Sequence, residues 1–222
     1  MSTSTELARL LQLASPTLPV GAFSYSQGLE AAVETGLVHD RASAEQWIGE
    51  LLELSLGRME APILRRLIEA WRGDDATAAA RWNATFLASR ETSELRAETV
   101  QMGYSLRALL AQLEDAAPLD TMEEPAFPAA YAYAVARWKI DPHDALVAYL
   151  WAWLENQVMA ALKAVPLGQT DGQRILLALG ARLEAVAVEA EALEDDDLGA
   201  CAPGLALLSA RHETQYSRLF RS

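Results

Sequence analysis

Cysteine occurs once in this 222-residue chain, at Cys201, and histidine three times, at His39, His143 and His212. One cysteine excludes an internal disulfide and suits a reducing compartment. No histidine pairs with another histidine or with the cysteine at metal-ligand spacing, so no metal site is expected. Cys201 and His212, eleven apart, are the nearest approach to one, and a lone buried thiol is the plainer expectation for Cys201. Positive charge is also short: 18 Lys plus Arg stand against 31 Asp plus Glu, a formal net charge of -13. Without a basic surplus to neutralise phosphates, nucleic acid is not expected as a partner. Neither a G-x-x-x-x-G-K-[ST] loop nor G-x-G-x-x-G occurs, and G-x-S-x-G is missing as well, so no cofactor and no catalytic residue is expected. Residues Met1 to Glu6 lack the basic start and apolar run of a signal peptide, and a cytoplasmic setting is the expectation.

Two-residue alternation is scarcely found, and no Asn-Gly or Asp-Gly turn lies between β-branched runs. Helical spacing takes its place. Trp47, Leu51 and Leu54 repeat at i, i+4, i+7, and Ser43 with Gln46 has the form of a capping box before them. Ile63, Leu64, Leu67, Ile68 and Trp71 share a face that Gly73 ends. Asp74 or Asp75 precedes an Ala-rich helix carrying Trp82 and Phe86. A long helix follows over roughly 90–114, with Gly103 its weak point. Asp141-Pro142 is a helix start. The stretch from Leu176 to Leu193 is Ala-, Leu- and Val-rich and runs into an acidic segment, Glu191 to Asp197, expected to be solvated.

The run from Ala145 to Val165 is long enough to cross a bilayer, but Glu155, Asn156 and Gln157 sit near its middle and Lys163 near its end. A buried helix of a globular protein is expected there, and no membrane association. Its apolar residues point all round it, and Val147 with Trp151 is the candidate face for a homodimer contact. The prolines fall between helices, and no repeat or low-complexity linker divides the chain. The reading is all-α, a single domain of about nine or ten helices over residues 1–222.

Three polar or glycine-bearing segments and the C-terminal end stand out against this apolar background. In the first, Leu10-Leu11-Gln12-Leu13-Ala14-Ser15-Pro16-Thr17-Leu18-Pro19-Val20-Gly21-Ala22-Phe23-Ser24-Tyr25-Ser26-Gln27-Gly28-Leu29-Glu30, the prolines hold an extended approach, Gly21 allows a turn, and Ser24 can cap the next helix. Glu30 is its charged representative on an expected interaction surface. The second, Glu91-Thr92-Ser93-Glu94-Leu95-Arg96, offers Arg96 for an interface or an internal ion pair. The third runs from Glu155-Asn156-Gln157 through Lys163-Ala164-Val165-Pro166-Leu167-Gly168-Gln169 to Gln173, with Asp171 a cap for the following helix and Lys163 placed for a partner or for the helix dipole. The last eleven residues hold His212, Glu213, Gln215, Tyr216, Arg218, Phe220 and Arg221, a composition suited to a protein interface. A helical turn would put Tyr216 and Phe220 on one face. Residues 212–222 are therefore expected to be a partner-binding tail, loosely docked without its partner and removable at little cost in stability.

Together the opening Ser-Pro-x-Leu-Pro-x-Gly-x-Phe-Ser-x-Ser-x-Gly-Leu-Glu, the Glu-Thr-x-Glu-Leu-Arg element, the Lys-x-Val-Pro-Leu-Gly-Gln turn and the closing His-Glu-Thr-Gln-Tyr-Ser-Arg-Leu-Phe-Arg-Ser resemble the urease accessory protein UreF family, over residues 7 to 222. Ala22 stands where the family often has Gly, and Ser93 where it often has Arg, which leaves no basic side chain at position 93. The resemblance implies an all-α, non-enzymatic scaffold and regulator in urease maturation. It implies a UreD/UreH-type accessory partner, a homodimer within the complex, and a nickel-carrying UreG-type GTPase delivered to apo-urease. Modulation of GTP hydrolysis and internal passage of nickel are part of what the family resemblance suggests. A carrier that holds nickel itself is the rival reading, and the scarcity of His and Cys opposes it.

Overall fold

Helix α8 (Phe127–Arg137) has eight consecutive buried residues, from Pro128 to Val135, four of them alanine. Small side chains on every face let neighbouring helices approach its backbone closely, and α4 (Ala61–Arg72) and α6 (Ser93–Leu113) clasp it. This computed structural model describes residues 3–113 and 117–222. Among them no strand is found, and the remaining helices are α1 (Ser4–Ala14), α2 (Leu29–Glu34), α3 (Arg41–Leu51), α5 (Ala76–Ala88), α7 (Ala117–Asp120), α9 (Pro142–Ala164), α10 (Gln169–Gly180), α11 (Leu183–Ala192) and α12 (Pro203–His212). Ten are of six residues or more when 41–72 is taken as one rod, in line with the all-α expectation.

That rod is not uniform. Leu52–Glu60 is π-helical and joins α3 to α4 without a break. The wider turn coincides with carbonyls that serve a second segment: Leu54 accepts from the Cys201 amide at 2.9 Å and Arg58 from the Gly199 amide at 3.2 Å. Cys201 is exposed in this strap, not buried as expected. The acidic segment beside it is largely solvated, although Asp195 takes a 2.6 Å ion pair from Arg66.

Several start and stop signals act as read. Asp75 caps α5, Asp141 caps α9 with Pro142 in its first turn, and Gly73 ends α4. Others need correction. The cap of α3 is Asp40, and Ser43 is its reciprocal third residue, so the box lies three positions earlier than expected. Asp171 sits inside the first turn of α10, whose cap is Gly168. Ser24 lies in a short 3-10 turn and caps nothing; α2 begins after Gly28, whose φ of 77° a side chain would strain. The run Leu176–Leu193 is two helices, broken after Gly180.

Helix α9 meets the expectation of burial on several sides, touching α1, α2, α3, α4, α10 and α11. Leu146, Tyr149, Leu150, Trp153, Leu154 and Val158 are buried along it, whereas Trp151 is 37 % exposed. Among the described residues no helix is long and apolar enough to cross a membrane.

Gly103, expected as a weak point of α6, is where two backbones touch. A Cβ there would lie 1.9 Å from the Pro125 carbonyl oxygen and 2.8 Å from the Ala126 carbonyl carbon. Backbone cannot move aside as a side-chain tip can. Gly103→Ala is therefore expected to destabilise by about 3 kcal/mol or more, roughly a 6–12 °C fall in melting temperature. Gly204→Ala, with nothing within 4 Å, should leave it unchanged. Calorimetric scans of both variants check the contrast.

Candidate functional site

After α12 the chain turns back, and residues 213–222 form no helix. Tyr216 and Phe220 consequently do not share a face. Phe220 is 5 % exposed, whereas Tyr216 and Leu219 project into solvent. The segment is tied down chiefly by Glu30, in the first turn of α2. One Glu30 oxygen accepts from the Leu219 amide at 2.8 Å and the Gln215 side-chain amide at 3.2 Å; the other accepts from the Phe220 amide at 2.9 Å. Glu30 is thus only 7 % exposed, an internal anchor and not the surface group it was expected to be. Backbone pairing with the N-terminal turn adds two points: Ser26 donates to the Ser222 carbonyl at 2.9 Å and Arg221 to the Ser24 carbonyl at 2.8 Å. Burial pushes the Tyr25 hydroxyl in this turn above its ordinary value. A loosely docked tail, removable without loss, does not fit this arrangement. Phe220, Ser222 and His212 are all buried, so deletion would open the core.

Helix α6 meets the same segment at its N-terminus. Glu213 accepts from the Ser93 amide at 3.0 Å and the Ser93 hydroxyl at 2.6 Å, capping the helix from a distant part of the chain. These bonds, led by the Ser93 hydroxyl, hold the Glu213 carboxyl below the usual range. Ser93 thus takes part through its amide and its hydroxyl. Glu94 pairs with Arg218 at 2.6 Å and faces His212 Nδ1 at 2.7 Å. At the end of α9 the exposed Lys163 places its ammonium 5.5 Å from the Phe220 ring centre.

Glu30, Lys163, His212, Glu213, Gln215, Arg218, Phe220 and Arg221 therefore converge, with Tyr216 on the outer side. Arg96 stands apart. It pairs with Glu124 at 2.6 Å, both side chains 42 % exposed, and the mutual hydrogen bond raises the arginine and lowers the carboxyl. Val147 and Trp151 lie a dozen or more residues earlier on α9, at least about 18 Å from Lys163 at the helical rise. There the Trp151 ring covers Gly180 of α10.

Beneath the segment lies a cavity of about 110 Å³ between the N-terminal turn, α6 and α9. Ser15, Gln27, Glu155 and Asn156 of its polar lining lie in stretches picked out from sequence, whereas Glu60, Arg90 and Glu98 were not singled out. Gln27, held at φ 51°, donates to Glu98 at 2.7 Å and accepts from the Trp153 indole at 2.6 Å. The other Glu98 oxygen accepts from the Ser222 hydroxyl at 2.8 Å, which links the cavity wall to the end of the tail. Farther in, Glu60 accepts from the Tyr149 hydroxyl and pairs with Arg90 at 3.3 Å. One signal could have pointed here: Glu94 and Glu98 are four apart on α6, a like-charge pair that needs partners if both face inward.

Burial pushes the Glu98 carboxyl up to about 7, only partly offset by its bonds from Gln27 and Ser222. A raised value means that the folded protein holds this proton more tightly than the unfolded chain. The stability is complete below the unfolded value of 4.5 and is lost as pH climbs through about 7. At about 1.4 kcal/mol per unit the loss is on the order of 3 kcal/mol. Glu98→Gln should therefore melt higher than the parent at about pH 8, with the difference shrinking toward zero near pH 5. Thermal melts across that range would show it, and a pH-independent difference would contradict it.

Among the described residues no group of three or more His, Cys, Asp or Glu is arranged to hold a metal ion. The profile of the family described as UreF matches residues 38–180. The chain is 59 % identical to a urease accessory protein UreF of Azoarcus sp. (strain BH72), over 97 % of this chain and 95 % of that one. It is 54 % identical to its counterpart in Dechloromonas aromatica (strain RCB) and 49 % to that in Methylobacillus flagellatus, with 100 % of each chain covered in both comparisons. The N-terminal turn and the C-terminal segment, apart in sequence and joined through Glu30, lie within the stretch that these relatives share, and the chain belongs to the UreF family of urease accessory proteins.

Proposed function

We propose that this protein is a non-catalytic scaffold in urease maturation, and that its docked C-terminal segment is the surface met by a UreD/UreH-type accessory protein. The observation that carries this reading is the division of labour within residues 212–222. Main-chain amides, His212 and Phe220 hold the segment to Glu30, while Tyr216 and Leu219 face outward with no internal task. Exposed aromatic and leucine side chains on a fixed backbone are suitable anchors for a partner. Lys163 and Arg221 are exposed beside them and suit carboxylates on that partner. On the proposed reading Arg96 offers a further contact, the complex recruits a UreG-type GTPase, and nickel reaches apo-urease from the GTPase in the cytoplasm. GTP hydrolysis is modulated through the scaffold.

A homodimer within the complex is proposed to form through Val147 and Trp151. What supports it is the exposed rim of the Trp151 ring over Gly180, with Leu177 of α10 also exposed. Trp151→Asp should then give monomers by light scattering with helicity intact. Dimers persisting in a folded variant would remove this face.

Tyr216→Asp is the test of the partner surface. Tyr216 is fully exposed, so the melting temperature should move by no more than the roughly 0.5 kcal/mol of a surface change. Co-purification with the UreD/UreH-type protein should fall by about tenfold or more, as expected for loss of an interface anchor. Normal co-purification would refute the proposed surface.

A further inference from the structure

We propose that His212 is a proton-controlled latch that sets how firmly residues 213–222 are held. Its imidazole is fully buried and lies between two carboxylates, with Nδ1 at 2.7 Å from Glu94 and Nε2 at 3.3 Å from Glu30. A neutral imidazole has one N–H and can donate to only one of them. Its other nitrogen then presents a lone pair to a carboxylate oxygen in a place that water does not reach. Only the imidazolium donates to both. Two carboxylates, one imidazolium and the Arg218 guanidinium make a balanced set, and loss of the imidazole proton leaves one buried negative charge in excess.

The charge imbalance falls on the two groups that hold the segment. Glu30 accepts the Leu219 and Phe220 amides, and Glu94 accepts Arg218. Other charges nearby do not take the proton's place. Glu213 faces Ser93, Arg211 is exposed, and Lys163 lies over Phe220. Glu98 loses its proton in the same direction of pH, but it can accept from Ser222 in either form. Raising the pH therefore loosens the segment and frees Phe220, while lowering it closes the latch. The consequence for partner binding rests on the function proposed above; the latch itself does not.

Hydrogen exchange in the full chain tests it, read as protection factors for the Leu219 and Phe220 amides after correction for intrinsic rates. As the pH is raised from about 6 to about 8.5, protection should fall about tenfold, the equivalent of a hydrogen bond to a charged group. Because Glu98 also loses its proton in this window, the comparison is made in a Glu98→Gln background: Glu98→Gln alone should keep the fall, and in His212→Gln with Glu98→Gln the protection should not vary over that range. Equal protection at both pH values in the parent or in Glu98→Gln alone, or the same fall in the double variant, would overturn the latch. Should the double variant not fold, imidazole ring shifts of the parent by NMR decide instead. Titration coinciding with the loss of protection supports the latch, and loss without titration overturns it. Capture of the UreD/UreH-type partner, followed in parallel, separates the two proposals. Protection that falls while Tyr216→Asp leaves capture normal upholds the latch and overturns the partner surface.

Discussion

A buried carboxylate cannot be left without donors, and Glu30 is where this constraint shapes the molecule. An unpaired charge in the interior costs several kcal/mol. Glu30 meets two main-chain amides, one side-chain amide and an imidazole nitrogen, which is about what a carboxylate can accept. All four belong to residues 212–220, some 180 to 190 positions away in sequence. The path of the C-terminal segment is thus set by one side chain near the other end. Gly28, at positive φ, starts α2 at the angle that aims Glu30 inward, and a Cβ on it would press within 3.1 Å of Leu205 in α12.

Three further carboxylates line the same seam, and each is accommodated differently. Glu94 has Arg218 and His212, Glu60 has Arg90 and Tyr149, and Glu98 has only neutral donors and is pushed toward its protonated form. Neutral donors cannot offset the cost of burying a charge as a guanidinium can, and burial pushes the Glu98 carboxyl up. By contrast, the exposed Arg96–Glu124 pair contributes little despite its short distance, because solvent screens it. The acidic surplus of this chain is therefore not only a matter of solvated surface; part of it lies inside and is met group by group.

Most of the fold was legible in the sequence because amphipathic helices advertise themselves by their stripe. The apolar face of α4, Ile63 to Trp71, is buried as read. Helix α8 carries no such stripe, since alanine on each side removes the contrast on which periodicity depends. Asp40 and Ser43 are both good caps three residues apart, and only the reciprocal geometry reveals which leads. Gly180 was a stop signal in plain view, overridden by the apolar run on both sides of it. The form of the C-terminal segment was misread. An i, i+4 aromatic pair implies one face only if the segment is helical, and Glu30 draws amides 219 and 220 into a conformation that is not. Gln27 and Ser222 stood in segments picked out from sequence, but their link through Glu98 was illegible because it is relational, a chain of bonds between three distant segments.

Main-chain anchoring also bears on how a partner would be met. Had residues 212–222 been free, ordering them on binding would cost roughly 1 to 2 kcal/mol of backbone entropy per residue. Docking through amides 219 and 220 has already taken up much of that cost within the chain, and it does so without using the side chains of Tyr216 and Leu219. Binding to a preorganised surface needs fewer new contacts for the same affinity. It also means that whatever loosens the anchor acts on two properties together. It exposes Phe220, enlarging the apolar surface on offer, and it restores the entropic cost that docking had removed. The two effects oppose each other, so the strength of the Glu30 anchor would tune recognition instead of switching it on from nothing.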